Sequence, residues 1–400
     1  MGLKKALLLS HSHPGQGTYY RCFYFAKSLS LAGYKVDIIC ASAREGDWGV
    51  RRRMVSETLS ITTLPSPIRP GSPLAQVART LLGTWRVFTG GYDVIHAFGF
   101  ALPSISIPVI LARRMGLKAK IILDWDSARG DAPAGMFSQF SHAARKLMEN
   151  KITLVARPDA VTAVSRYFHI RLLKMELPMS RISVVPNGCD TETVKPMSRE
   201  AARAGVEWNP DEQVILSMGH NYSGSLRALL EAFALVRAKK PKAKLKMLGY
   251  MAKTGKQAEK VDEVLREFAH LSPHIEWLGE APRREVGKYL CAADCLALPM
   301  ENSVTDGARG PVRLGDYLAS GRPVASNAVG YTREILDSIS PNAVCEDPDD
   351  RREFARIIIR VLEDPAFAQA VGKAGLELAQ GRLNWRTVGA EVVAIHDGLF

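Results

Sequence analysis

The sequence predicts an α/β protein made of two doubly wound, Rossmann-like domains, and three observations carry that prediction. Its 400 residues, with 46% hydrophobic and 24% charged content, exceed what one hydrophobic core usually serves. Short β-branched or apolar runs alternate with longer amphipathic ones, the rhythm of a parallel sheet with helices on both faces. That rhythm begins a second time after Asn187-Gly188.

"KALLLSH" reads as the first strand. Its apolar part is too short for a secretion signal and no small-residue cleavage site follows, so the expectation is a cytoplasmic protein. "YYRCFYFAKSLSLAG" follows as a helix and "YKVDIICAS" as the next strand. The longest apolar stretch, "FALPSISIPVILA", is interrupted by Pro103 and Pro108 and falls short of the ~18 residues of a membrane span, so it reads as a buried strand or helix. "YDVIHAFG", "KAKIILDWD", "DAVTAVS" and "ISVVPNG" complete the first set of strands. The second set contains "QVILSMGH", "AKLKMLGY", "IEWLGEAP", "CLALPM", "RPVASN" and, last, "AVCED", with "LRALLEAFALVRAKKP" and "RLGDYLASG" among its helices. Expected boundaries are 1–190, 191–382 and a terminal helix at 383–400.

Charge divides the chain unevenly. Residues 1–190 hold 25 Lys and Arg against 12 Asp and Glu, and the rest hold 28 against 29. The basic half is suited to something anionic: nucleic acid, acidic lipid or a phosphorylated substrate. Nucleic acid is disfavoured, because the basic runs lack interleaved aromatics and no helix-turn-helix or zinc spacing occurs. The six cysteines are scattered, and the close pair Cys291 and Cys295 has no second pair to complete a metal site, so all six read as reduced thiols.

In doubly wound sheets ligands bind beyond the carboxyl ends of the strands. That places Gly15, Gln16, Gly17, His96, Asp124, Asp126, His220, Asn221 and the 305–313 loop among the candidates. The segment "GPVRLGDYLASGRPVASNAVG", residues 310–330, puts Pro311 at an expected first helical position after Gly310. A helix N-terminus carries unpaired N–H groups and partial positive charge, and Arg309 and Arg313 add two cations beside it, which suits a phosphate group. Asp124 and Asp126 alternate along a strand end and so face one way, with Trp125 facing the other. Either carboxylate could serve as a base towards a hydroxyl, bind sugar hydroxyls or a basic group, or only cap a turn.

Taken in order, "HPGQGTYYR", "YDVIHAFG", "VTAVSRYF", "ISVVPNGCD", "ILSMGH", "LLEAFALV", "IEWLGEAP", "AADCLALP" and "PVRLGDYLASGRPVASNAVG" resemble the GT-B retaining glycosyltransferases of family 4 along nearly the whole chain. The resemblance implies two Rossmann-like domains facing a cleft. The C-terminal one would hold a nucleoside diphosphate sugar and the N-terminal one an acceptor, with the last helix crossing back to the first domain. It places the family's ribose-binding acid on Asp316, leaves its other acid vacant at Ala308 unless Asp306 or Glu301 supplies it, and puts His220 and Gly224 where the family carries an Arg and a Lys. Arg309 and Arg313 are the expected replacements. His96 falls where the family usually shows a histidine, as an acceptor or sugar contact or else as a packed strand-end residue.

The implied activity is retaining hexosyl transfer to a hydroxyl of a glycan, lipid-linked or phosphorylated acceptor in cell-surface polysaccharide or glycolipid assembly. No prosthetic group and no metal would be needed if arginines and a helix dipole neutralise the diphosphate. The alternatives are a non-catalytic nucleotide-sugar binder and an epimerase on the same fold. Residues 74–90 add one further expectation. Leu74, Val77, Leu81, Leu82 and Trp85 form one helical stripe with Arg79 and Arg86 outside its centre, which would suit peripheral contact with an anionic inner membrane face. The competing expectation is a helix that buries this stripe in the core.

Overall fold

The computed structural model describes residues 3–15, 17–68, 72–127, 142–219, 223–249 and 256–400. The chain forms two compact units: Met1–Asn187 with Ala308–Gly310 and Trp385–Phe400, and Gly188–Gly307 with Pro311–Asn384.

In the first unit, in chain order, are β1 (Lys5–Ser10), α1 (Gly17–Leu31), β2 (Lys35–Ala41), β3 (Arg51–Met54), β4 (Leu59–Leu64), α2 (Pro73–Thr89), β5 (Val94–Phe98), α3 (Pro103–Arg114), β6 (Lys120–Trp125), α4 (His142–Ala156), β7 (Ala160–Ala163), α5 (Arg166–Leu173) and β8 (Ile182–Val184). The strands lie in the order β3-β4-β2-β1-β5-β6-β7-β8, parallel except for the antiparallel β3–β4 pair. β1, β2 and β5 are mainly apolar and buried almost throughout, Asp37 and His96 included, as strands covered on both faces are. β3 has no such pattern. "RRRM" is exposed at all four positions and is a strand only because its backbone pairs with β4, a partnership that no local periodicity announces.

The second unit contains α6 (Arg199–Gly205), β9 (Gln213–Met218), α7 (Ser223–Lys239), β10 (Ala243–Leu248), α8 (Lys256–Glu267), β11 (Ile275–Gly279), α9 (Val286–Ala292), β12 (Cys295–Leu298), α10 (Val304–Ala308), α11 (Val312–Ala319), β13 (Val324–Ser326), α12 (Gly330–Asp337), α13 (Arg351–Glu363) and α14 (Pro365–Gln380). Its five parallel strands run β11-β10-β9-β12-β13. "AVCED" is not the strand expected. Pro341–Ala343 make a 3-10 turn and Val344 adds only a single bridge to Ser326, because three apolar residues between two prolines leave no room for a ladder. Pro311 also differs by one position: it is the N-cap of α11, in extended conformation, and the helix starts at Val312.

α15 (Trp385–Asp397) belongs to the first unit. Trp385 stacks on Tyr24 with ring centroids 4.6 Å apart, and the Tyr34 hydroxyl donates to Asp397 at 2.6 Å. A side chain at Gly389 would place its Cβ 2.0 Å from Ser28 Oγ, so this contact needs glycine. All six cysteines are free and buried. Among the described residues no helix is long and apolar enough to cross a membrane.

Candidate functional site

Each sheet has one point where its strand order reverses, and the carboxyl ends of the two strands flanking it open a crevice where ligands bind in such folds. In the first unit these strands are β1 and β5, and in the second β9 and β12. The residues just beyond them are therefore 11–17, 99–101, 219–223 and 299–303.

In the second unit Arg313 reaches that crevice. From the first turn of α11 its guanidinium donates to the carbonyls of Met218 at 2.6 Å and Gly219 at 2.7 Å, and to Pro299 at 3.3 Å. Those acceptors are the ends of β9 and β12. These carbonyls fix the position of the guanidinium at the strand ends. Gly219 has φ +77°, and Gly249, with φ +109°, packs on its backbone: a Cβ there would lie 3.3 Å from Gly219 N. The turn beneath Arg313 thus depends on glycine at both places.

Asp316 goes elsewhere. It is buried, both its oxygens accept from Arg283 at 2.6 and 2.7 Å, and Arg283 also donates to Asp190 at 3.1 Å. The acid expected to take the ribose is thus engaged by a cation of its own unit. The short Asp side chain stays against its own helix, where Arg283 meets it in a bidentate fork. Glu301, which sequence reasoning left as a secondary option, lies at the start of α7, where a Cβ on Gly224 would come within 2.0 Å of its Oε1. Asp306 is buried and accepts from Glu301 N at 2.8 Å. Glycine in place of a basic residue at 224 leaves the room that Glu301 fills. His220 and Asn221 lie outside the described residues, as does Gln16.

α11 falls in the second unit, and Arg309 and Gly310 fall in the first. Ala308 is fully buried there, its carbonyl accepting from Ser165 Oγ at 2.6 Å, and Asn187 Nδ2 donates to the Gly310 carbonyl at 2.6 Å. The two arginines expected to form one clamp are therefore held by different units.

Two of the three catalytic candidates are interior residues. Asp124 is buried against Arg21, whose Nε and Nη2 each lie 2.9 Å from it, and it also accepts from Thr162 Oγ1 at 2.5 Å. Arg21 further donates to Pro186 O and Asn187 Oδ1, both at 3.1 Å. Both Asp124 oxygens are engaged by Arg21, and its side chain is fully buried. His96 is fully buried, stacked on Phe98 at 4.5 Å and 5.2 Å from the His396 ring, with Nε2 3.2 Å from Thr162 Oγ1. It is the packed strand residue, not a substrate contact, since its side chain points into the core from the middle of β5. Asp126 remains half-buried at the end of β6 and accepts from Thr18 Oγ1 at 2.5 Å, which ties it to the first turn of α1.

The crevice of the first unit holds a residue the sequence reading passed over. His11 follows β1 directly, its Nδ1 is 3.3 Å from the Phe98 carbonyl, and its Nε2 is 2.8 Å from Ser12 Oγ. A carbonyl only accepts, so the first contact puts the proton on Nδ1 and leaves Nε2 to accept. Gly99, with φ +65°, makes room: a Cβ there would fall 1.8 Å from His11 Nδ1. The only available signal was "HSHPG" immediately after the first strand.

The buried histidine pair carries a pH prediction. Burial lowers both imidazoles, His396 to about 4 and His96 well below the usual value, the latter helped by His396 and Arg21 nearby. Between an unfolded value near 6.5 and the native value, the unfolded chain binds protons that the native state refuses, so stability falls as pH falls through that window. His396 alone should account for roughly 3 kcal/mol between pH 7 and pH 4. Calorimetric melts should show His396→Leu flattening this part of the pH dependence; an unchanged slope would contradict the assignment.

The family models agree with this geometry. One described as glycosyl transferases group 1 matches residues 198–377, and one described as a glycosyl transferase 4-like domain matches residues 17–188. The chain belongs to the GT-B, family 4-like glycosyltransferases. The chain is 26% identical over 310 residues to the D-inositol 3-phosphate glycosyltransferase of Nocardioides sp., covering 73% of the chain and 64% of the relative. It is also 26% identical over 248 residues to a GDP-mannose-dependent alpha-(1-6)-phosphatidylinositol monomannoside mannosyltransferase of Mycolicibacterium smegmatis, covering 60% and 62%. The match thus spans somewhat less than two thirds of either relative. Among solved structures, sucrose-phosphate synthase from Thermosynechococcus elongatus superposes with a TM-score of 0.77 at 19% identity over 99% of both chains.

Proposed function

We infer that the protein moves a hexosyl group from a nucleoside diphosphate sugar to a hydroxyl of a glycan, lipid-linked or phosphorylated acceptor, with retention of anomeric configuration. The observation that carries this reading is Arg313, held on the ends of β9 and β12 by carbonyls at the strand-order reversal. A fixed cation there meets the charge that develops on a departing diphosphate, which is where electrostatic preorganisation contributes most. The second unit takes the donor and the first takes the acceptor. The leaving diphosphate oxygen accepts the proton of the incoming hydroxyl on the same face, so no side-chain nucleophile is required. Catalysis then comes from positioning and from stabilisation of the leaving group. His11 and Asp126, in the first unit, are the groups placed to orient an acceptor hydroxyl. GDP-mannose and phosphatidylinositol mannoside, named for the mycolicibacterial relative, are the first donor and acceptor to test.

A non-catalytic nucleotide-sugar binder is favoured by one observation, the engagement of Asp316 by Arg283. A panel of nucleoside diphosphate sugars, with chelator present or absent, separates the two readings. Acceptor-dependent release of nucleoside diphosphate, with an α-linked product from an α-linked donor by NMR, is the expected result. Tight donor binding without turnover against any acceptor would leave the binder, and an inverted product would overturn retention.

A further inference from the structure

We propose that α2 and the neighbouring β3 edge form an interfacial surface that seats the first unit on an anionic lipid bilayer. This names where a lipid-linked acceptor is met, and to that extent rests on the transferase reading above.

α2 is amphipathic in the reverse of the usual sense. Its inward face consists of Ala75, Gln76, Arg79, Gly83 and Val87, packed mainly on α3. Gly83 sits 3.6 Å, by its would-be Cβ, from the Ser104 carbonyl of that helix. The polar residues are turned in or turned onto backbone: Arg79 Nε donates to Ala75 O at 3.0 Å, and Arg86 reaches Asp37 at 3.0 Å. Thr80, Thr84 and Thr89 each donate their hydroxyl to the carbonyl four residues earlier. What faces water is Leu74, Val77, Leu81 and Trp85, spaced three, four and four residues apart, with Leu81 67% and Trp85 61% exposed. Apart from Pro73 and Thr89 at its ends, every exposed position of the helix is one of these four. A stripe of this kind is normally the buried side of a surface helix, and a contiguous apolar ridge in water marks a docking face.

The cations that the sequence assigned to this helix are thus withdrawn, and the structure supplies others. Arg52 of β3 and Arg86 of α2 share the Asp37 carboxylate, at 3.1 and 3.0 Å, which sets the edge strand beside the helix. Arg53 is exposed on β3 beside Arg51, which pairs with Asp47 at 3.0 Å, and exposed Trp48, Val50 and Met54 lie next to them in the chain. An apolar ridge carrying tryptophan and flanked by arginines is the pattern of a helix lying in the headgroup region. At about 25 Å, α2 is long enough to lie along the surface. The excess of 13 positive charges in residues 1–190 selects the occupant: it repels a second copy of the same face and attracts acidic lipid.

The test is flotation of the full chain with vesicles of phosphatidylcholine mixed with phosphatidylglycerol, and with phosphatidylcholine alone. Binding to the anionic vesicles only, weakening as salt is raised, is expected. Val77→Glu with Leu81→Glu should lower that partition about tenfold or more, and Arg53→Gln should reduce it while flattening its salt dependence. Val77, Leu81 and Arg53 are all exposed, so the melting temperature and donor binding should stay at the parental values. No binding to anionic vesicles at low salt overturns the proposal. So does self-association of the full chain that Leu81→Glu abolishes without any vesicle binding, which would make the face an interface between copies. Vesicle binding by a protein that turns over no nucleotide sugar would leave this surface standing and remove the transferase reading instead.

Discussion

Replacing Arg21 by alanine should cost about 3 to 5 kcal/mol of folding free energy, the range for breaking a buried ion pair by removing one partner. Both side chains of the Arg21–Asp124 pair are fully buried, so nothing but protein is available to solvate Asp124 once the guanidinium is gone. The loss does not end there. Arg21 also holds Pro186 O and Asn187 Oδ1 and lies over the Phe25 ring at 4.5 Å, and these groups would lose their partner together. Asp124→Ala should cost a similar amount, since it strands a buried cation. Arg21→Met combined with Asp124→Leu should cost less than either single change, because an apolar pair of similar volume carries no uncompensated charge. Urea denaturation of the four proteins measures all of this. If Asp124→Ala left stability intact while abolishing turnover, the residue would be catalytic after all and the interior reading would be wrong.

That pair also explains which parts of the candidate site were legible in the sequence. Strands such as "KALLLS" and "CLAL" announce themselves because burial on both faces demands an unbroken apolar run, and strand order then fixes where ligands bind. Side-chain roles at those strand ends are another matter. Asp124 and Asp126 look equivalent in "LDWDS", and what separates them is Arg21, more than a hundred residues earlier in the chain. Asp316 likewise reads as an open carboxylate until Arg283 is brought beside it. His11 was missed for the opposite reason: its neighbour in space is Gly99, a residue with no side chain to suggest a partner. The stripe on α2 was visible as a period of apolar residues, but periodicity gives only the angle between the two faces of a helix. It does not say which face the rest of the unit covers.

Arg313→Ala should lower the affinity for a nucleoside diphosphate about ten- to a hundredfold while leaving the affinity for the nucleoside nearly unchanged, since only the former presents charge to the guanidinium. The effect on kcat/KM should be larger, on the order of a hundred- to a thousandfold, because negative charge on the diphosphate grows as the glycosidic bond breaks and the lost donor acts most where charge develops. Arg313→Lys keeps the charge but not the fork that spans Met218 O, Gly219 O and Pro299 O, so it should recover part of the binding and less of the rate. The carbonyl contacts raise a competing explanation, that Arg313 merely staples the ends of β9 and β12. A staple would act on all ligands alike: losing it would weaken nucleoside and nucleoside diphosphate together and lower the melting temperature. Calorimetric titration of both ligands into the parental protein and the two variants decides between them. Equal weakening of the two ligands would take Arg313 out of the donor site, and the anion-binding assignment of the β9–β12 crevice would go with it.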